Sequence, residues 1–165
     1  MNQQIAFLIN PLKKTVAIAD YFSWVIETVK VKKSDWEIQL FAKEWPADLS
    51  DFDQVWVMGG DGTFNYFVNK YPSLEKPIAL FKGGTGNDFY WKLYGNLTRE
   101  MHLTTIIDSH VESFDAGQVN EMLFFRVRRW RTLFSINKRS PVRIIIIFCI
   151  LGCAKMWIYL DRTGF

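Results

Sequence analysis

Only two cysteines occur in 165 residues, which excludes a mini-protein built on disulfides. There is no internal repeat, low-complexity tract or long linker to suggest a solenoid or a tethered array. The longest uninterrupted apolar run, Ile144 to Ala154, falls well short of the roughly 20 residues that span a bilayer. Arginine is nearly missing from the first 125 positions, where Arg99 stands alone. No signal-peptide pattern opens the chain, so the cytoplasm is the default expectation, and Asn96-Leu97-Thr98 reads as a chance match to a glycosylation acceptor. What is present suits one domain with a sizeable core: 49% hydrophobic and 22% charged residues, with mean hydropathy near zero, exclude a disordered, collagenous or coiled-coil chain. The net charge of +3 conceals a split, because residues 1–125 hold 11 Lys+Arg against 16 Asp+Glu, whereas residues 126–165 hold 9 against 1. The first stretch therefore carries −5 and the second +8, and the two are read separately.

The first stretch has the rhythm of an α/β domain. Gln4 to Ile9 is an apolar run of strand length, ended by the turn signal Asn10-Pro11. From Thr15, a candidate N-cap, apolar residues at Val16, Ala19, Phe22, Val25, Ile26 and Val29 recur at helical spacing. Trp36 to Leu40 alternates as a second strand, and Pro46 to Asp53 reads as polar and turn-like. Gln54 to Met58 forms a third strand that runs into glycines, a helix follows over Thr63 to Tyr71, and Pro77 to Phe81 forms a fourth strand before a second glycine-rich loop. Strands alternating with helices imply a mainly parallel sheet with right-handed crossovers and helices on both faces.

In such a sheet the ligand crevice lies at the carboxyl ends of the strands, where both glycine-rich loops emerge. The first is Gly59-Gly60-Asp61-Gly62-Thr63-Phe64-Asn65, and the second is Gly83-Gly84-Thr85-Gly86-Asn87-Asp88. Glycines permit unusual backbone angles and close approach, and exposed amides at a helix start hold phosphate oxygens. One such cluster is as well explained by a tight turn; two, each with Asp and Thr, favour two sides of a phosphate-binding cleft. Neither matches the dinucleotide fingerprint or the P-loop.

The pair GGDGTFN at 59–65 and GGTGNDF at 83–89 resembles the catalytic domain of the diacylglycerol kinase family, a group that includes bacterial lipid kinases, sphingosine and ceramide kinases and, more distantly, NAD kinases. The likeness runs from about residue 3 to Asn120, and the GTGND loop favours the lipid-kinase branch over NAD kinases. The resemblance implies transfer of the γ-phosphoryl of ATP to a lipid hydroxyl, with Mg2+, between this domain and a following β-rich one. It places Gly59, Gly60, Asp61, Gly62 and Thr63 against the nucleotide phosphates, with Asn65 supporting that loop and Thr85, Gly86, Asn87 and Asp88 meeting the phosphates from the second loop. Asn10 would line the nucleotide site, and Asp61 and Asp88 are the candidate Mg2+ ligands, directly or through water. Asp61 is also the one candidate for a catalytic carboxylate here, since the resemblance puts the general base in the second domain.

Departures from the family pattern are visible too. Leu12-Lys13-Lys14 replaces the small residues usual after Asn-Pro, although the lysines can attract phosphate, and Phe41-Ala42 stands where a threonine is common. Glu112 to Asn120 resembles the first strand of the second domain, but the chain then turns to Arg126-Val127-Arg128-Arg129-Trp130-Arg131 and ends at Phe165 with only Glu121 and Asp161 as further acids. The expected organisation is a nucleotide-binding domain over 1–120 and an atypical tail over 121–165, with the second domain missing or truncated. That tail reads either as a frameshift product or as a basic and apolar segment associating with a membrane surface. Ile144 to Phe148 equally suits a buried strand. Nucleic acid is not an expected partner, because the basic tail joins an acidic domain without a recognition motif. His102 and His110 lack metal-ligand spacing and read as surface or packing residues, and Cys149 and Cys153 as packing. The leading expectation is an ATP-dependent lipid kinase with its nucleotide half present. The alternatives are a non-catalytic nucleotide-binding module and an NAD kinase relative.

Overall fold

The computed structural model describes residues 2–12, 15–108, 111–119, 122–124 and 142–147. Along the chain these form β1 (Gln3–Ile9), α1 (Val16–Lys32), β2 (Trp36–Phe41), β3 (Gln54–Gly59), α2 (Asp61–Lys70), β4 (Ile78–Lys82), α3 (Asp88–Tyr94), α4 (Arg99–Asp108), β5 (Val111–Val119), β6 (Met122–Phe124) and β7 (Val142–Ile147). The strands lie in the order β2-β1-β3-β4-β7-β5-β6. The first four run parallel, with Phe7 opposite Leu40 on one side and Trp56 on the other, and Val57 opposite Leu80. β7 is parallel to β4, which it meets at the single pair Ile78 and Ile146, and antiparallel to β5.

Alternation along the parallel strands sends side chains to two separate cores, as the period of two requires. Ile5, Phe7, Trp56, Met58 and Phe81 face α1 and α4, whose Val25, Val29, Leu103 and Ile106 cover them. Ala6, Leu8, Val57 and Leu80 face α2 and α3 and pack on Phe64, Phe67, Tyr90 and Leu93. Helices thus cover both faces, and the inner strands read as continuous apolar runs because neither face meets water. β2 is an edge strand, which explains its alternating sequence.

The expected elements are present with shifted ends. Thr15 caps α1 through Ile18 N (3.3 Å), and the helix continues to Lys32. α2 begins at Asp61, two residues before the expected start at Thr63, because Gly60 serves as N-cap and the motif's own residues form the first turn. Residues 46–53, expected to be a polar turn, bury Leu49 and Phe52 beneath α2, and Phe52 meets Phe41 edge to face at 5.8 Å. The helices α3 and α4, not anticipated from the sequence, complete the two layers. His102 lies fully buried on α4 with its ring edge-on to Phe81, Tyr90 and Tyr94, at 4.5–5.1 Å between centroids, as a packing residue. Neither ring nitrogen has a hydrogen-bond partner among the described residues.

β6 and β7 lie beyond residue 120, where the expected boundary falls, and join the same strand array. β6 is also tied to α2: the Asn69 carboxamide accepts from Leu123 N (2.8 Å) and donates to Leu123 O (2.9 Å), completing a strand edge with a side chain. Lys13, Lys14, His110, the arginine cluster from Arg126 to Arg131, Cys149 and Cys153 lie outside the described residues.

Candidate functional site

The two glycine-rich segments meet at the carboxyl ends of β3 and β4. Gly83 N donates to Gly59 O at 3.0 Å, continuing the β3–β4 ladder into the loops, and Asp61 N donates to Gly86 O at 3.1 Å. A Cβ placed on Gly84 would lie 2.4 Å from Gly60 Cα, and one on Gly60 would lie 2.5 Å from Gly86 O. Backbone rests on backbone here, which only glycine allows. Among the described glycines, positive φ occurs at Gly95 and at none of the motif positions, so close approach and not left-handed geometry explains these residues. The two loops expected to form two sides of a cleft thus touch backbone to backbone and make one continuous floor.

Asp61 fastens this floor. Its carboxylate accepts from the backbone amides of Asp88 and Phe89, both at 3.0 Å, so the first turn of α3 is capped by an acid from the start of α2. A negative charge at a helix start is favourable, and the two orphan amides gain an acceptor. Asn87 braces the second loop by donating to Gly84 O (2.7 Å) and accepting from Gly84 N (3.3 Å). Asn10 braces the first: its Oδ1 accepts from Leu12 N (2.9 Å), and its Nδ2 donates to Thr63 Oγ1 (2.8 Å). A hydroxyl that accepts one hydrogen bond keeps its own proton to donate, so Thr63 is prepared as a donor.

Above the floor opens a cleft of about 600 Å³, lined by Asn10, Pro11, Leu12, Trp45, Gly60, Asp61, Gly62, Thr63, Tyr66, Gly84, Thr85 and Gly86. Seven of the anticipated residues line it together, Asn10, Gly60, Asp61, Gly62, Thr63, Thr85 and Gly86, with Gly59 directly beneath. The α2 N-terminus enters this cleft without a side-chain cap. The first-turn amides of a helix have no acceptor within it. Asp61 N is spent on Gly86 O, which leaves Gly62 N and Thr63 N at the end. Asn87, Asp88 and Asn65 do not line the cleft: Asn87 holds the loop from behind, Asp88 is exposed at the start of α3, and exposed Asn65 makes no side-chain hydrogen bond to either loop.

The magnesium expectation fares differently. Both Asp61 oxygens already accept backbone amides, Asp88 is outside the cleft, and no group of three or more His, Cys, Asp or Glu among the described residues is placed to hold a metal ion. The described residues build no magnesium site from protein side chains alone. The Lys82 ammonium, at the end of β4, lies 3.6 Å from the Trp91 ring centroid and 4.6 Å from that of Tyr90, where burial lowers its pKa.

Two lining residues escaped the sequence reading, Trp45 and Tyr66. Trp45 is held by donation from its Nε1 to Ile9 O at 2.8 Å, and its ring packs 5.4 Å from that of Tyr66. The available signal was the spacing of Gly62 and Tyr66, four apart and hence on one helix face.

Comparison with known proteins agrees with this architecture. Residues 4–119 match the model of the diacylglycerol kinase catalytic domain. A diacylglycerol kinase of Staphylococcus haemolyticus is 27% identical over 128 residues, covering 70% of this chain and 38% of that protein. One from Staphylococcus epidermidis is likewise 27% identical over 128 residues, covering 70% of this chain and 40% of its own length. The crystal structure of a diacylglycerol kinase from Bacillus anthracis superposes with a TM-score of 0.58 at 23% identity, over 74% of this chain and 45% of that one. The chain thus spans less than half the length of these relatives, and over the residues that build its two-faced sheet and glycine floor it belongs to the diacylglycerol kinase catalytic domain family.

Proposed function

We propose that the cleft binds the phosphates of ATP and that the chain is the donor half of a lipid kinase, which moves the γ-phosphoryl group to a lipid hydroxyl such as that of diacylglycerol. The observation that carries this reading is the continuous glycine floor, meeting the uncapped end of α2 in one cleft. Phosphoryl transfer consists largely of positioning plus neutralisation of oxygen charge. Gly62 N, Thr63 N and the Thr63 hydroxyl are donors already fixed in place, so little reorganisation is needed when charge develops on the phosphate oxygens. In the step itself an acceptor oxygen bonds to γ-phosphorus, the bond to the β-bridging oxygen breaks with its electron pair, and ADP leaves. The acceptor's proton must pass to a base. Asp61, the acid lining the cleft, is occupied by two amides.

That occupation favours a second reading for the chain on its own, a module that binds nucleotide without transferring phosphate. The test is incubation of the 165-residue protein with γ-labelled ATP and diacylglycerol in mixed micelles, alongside calorimetric titration with ATP. Labelled phosphatidic acid supports the kinase reading, and nucleotide binding without product supports the module. Label transferred to NAD in a parallel incubation that offers NAD instead of diacylglycerol, or no nucleotide binding at all, overturns both. Among the described residues no helix is long and apolar enough to cross a membrane. Contact with the lipid acceptor at a membrane surface, from the cytoplasm, belongs to the same proposal.

A further inference from the structure

The phosphate floor occupies only one end of the cleft. Along α2, one turn beyond Gly62, the Tyr66 ring is 59% exposed although it lines the cavity. Exposure of a large aromatic inside a cleft costs hydration free energy that burial would recover. The ring is not loose, because the buried Trp45 backs it at 5.4 Å, tilted by 48°, and Trp45 is itself fixed through Ile9 O. Leu12, 91% exposed, contributes a further apolar surface to the same cleft.

Between helix end and ring lies a bare path. A Cβ on Gly62 would meet nothing within 4 Å. Gly62 and Tyr66 share a helix face and are separated by about 6 Å of rise. A phosphate at the α2 N-terminus therefore has open backbone beside it, leading to an exposed aromatic face about one turn away. The chemistry of the path is anionic at one end and flat and apolar at the other, which is the chemistry of a nucleotide: phosphates joined through a sugar to a base.

We infer that Tyr66, backed by Trp45, is the stacking platform for the nucleobase of the bound nucleotide, and that Gly62 is glycine to leave the sugar its passage. This rests on the reading of the glycine floor as a phosphate site, and the experiment separates the two. The intact chain is titrated calorimetrically with ATP and with inorganic tripolyphosphate, together with the variants Tyr66→Ala and Tyr66→Phe. Base–aromatic stacking corresponds to roughly 5- to 150-fold in affinity. The parent chain is expected to bind ATP at least about fivefold tighter than tripolyphosphate by the same stacking contribution. Tyr66→Ala abolishes that preference by weakening ATP alone, and Tyr66→Phe, which keeps a π face, retains it. Equal affinity of the parent for the two ligands, or an alanine variant that binds ATP as the parent does, overturns the assignment while leaving the phosphate floor standing. Failure of both ligands to bind overturns the phosphate reading and this inference with it.

Discussion

Gly84→Ala and Gly62→Ala add the same methyl group to neighbouring motif positions and should act in opposite ways. At Gly84 the new Cβ would lie 2.4 Å from Gly60 Cα and 2.7 Å from Gly60 N, and backbone cannot rotate aside. Ordinary contact between carbons needs about 3.5–4.0 Å, so the loops must separate by about 1 Å. A movement of that size takes Gly83 N–Gly59 O (3.0 Å) and Asp61 N–Gly86 O (3.1 Å) beyond hydrogen-bond range. The space of about 10 Å³ beneath the junction is too small to absorb it. Overpacking of about 1–3 kcal/mol, with about 0.5–1.5 kcal/mol for each of the two bonds weakened, gives a loss of about 2–6 kcal/mol. For a chain of this length that lowers Tm by roughly 4–24 °C. At Gly62 the methyl meets open space in the first turn of a helix, where alanine is favoured by about 0.5–1 kcal/mol. Tm should hold or rise by a few degrees, yet ATP binding should weaken because the methyl obstructs the path beside the phosphates. Circular-dichroism melts and calorimetric titrations of the two variants decide the matter. A Gly84→Ala melt unchanged from the parent, or an equal loss at Gly62, would refute the reasoning that one glycine serves the loop contact and the other the ligand.

Asp61→Ala removes the acceptor of the Asp88 and Phe89 amides and should cost about 1–2 kcal/mol in urea unfolding, with Asp61→Asn intermediate; an unchanged midpoint would show that the α3 start is satisfied otherwise. Tyr94→Phe strands the buried Leu80 amide, which donates to the Tyr94 hydroxyl at 3.3 Å, so a loss of about 1–3 kcal/mol is expected in the same assay. Burial, reinforced by the Lys82 charge, pushes the pKa of His102 down to about 3. The unfolded chain then binds more protons between about pH 6.5 and that value, so the stability is fully present above 6.5 and falls on acidification by up to about 1.4 kcal/mol per pH unit. His102→Leu should flatten that slope between pH 7 and 5, and equal slopes in parent and variant would count against a neutral buried imidazole.

The sequence carried much of this molecule openly. A strand buried on both faces has no polar side to display, so Gln4 to Ile9 and Gln54 to Met58 are nearly unbroken apolar runs, and Thr15 marks its helix because a cap needs a side-chain oxygen there. The glycine clusters pointed to the cleft because close backbone approach leaves a compositional trace. Other features left none. Leu49 and Phe52 lie in a polar-looking stretch, and their burial depends on α2 arriving above them. α3 is short and crowded with aromatics, α4 has weak local periodicity, and both are fixed by the sheet they cover.

Local sequence determined where the chain turns, which faces are apolar and which loops lack Cβ atoms, because each follows from neighbours along the backbone. Tertiary structure alone decided what those features meet: that the glycine loops lie against one another, that Asp61 caps a distant helix, and that Tyr66 rests on Trp45. These are contacts between residues some 20 or more positions apart, set by crossover packing, and no periodicity along the chain encodes them.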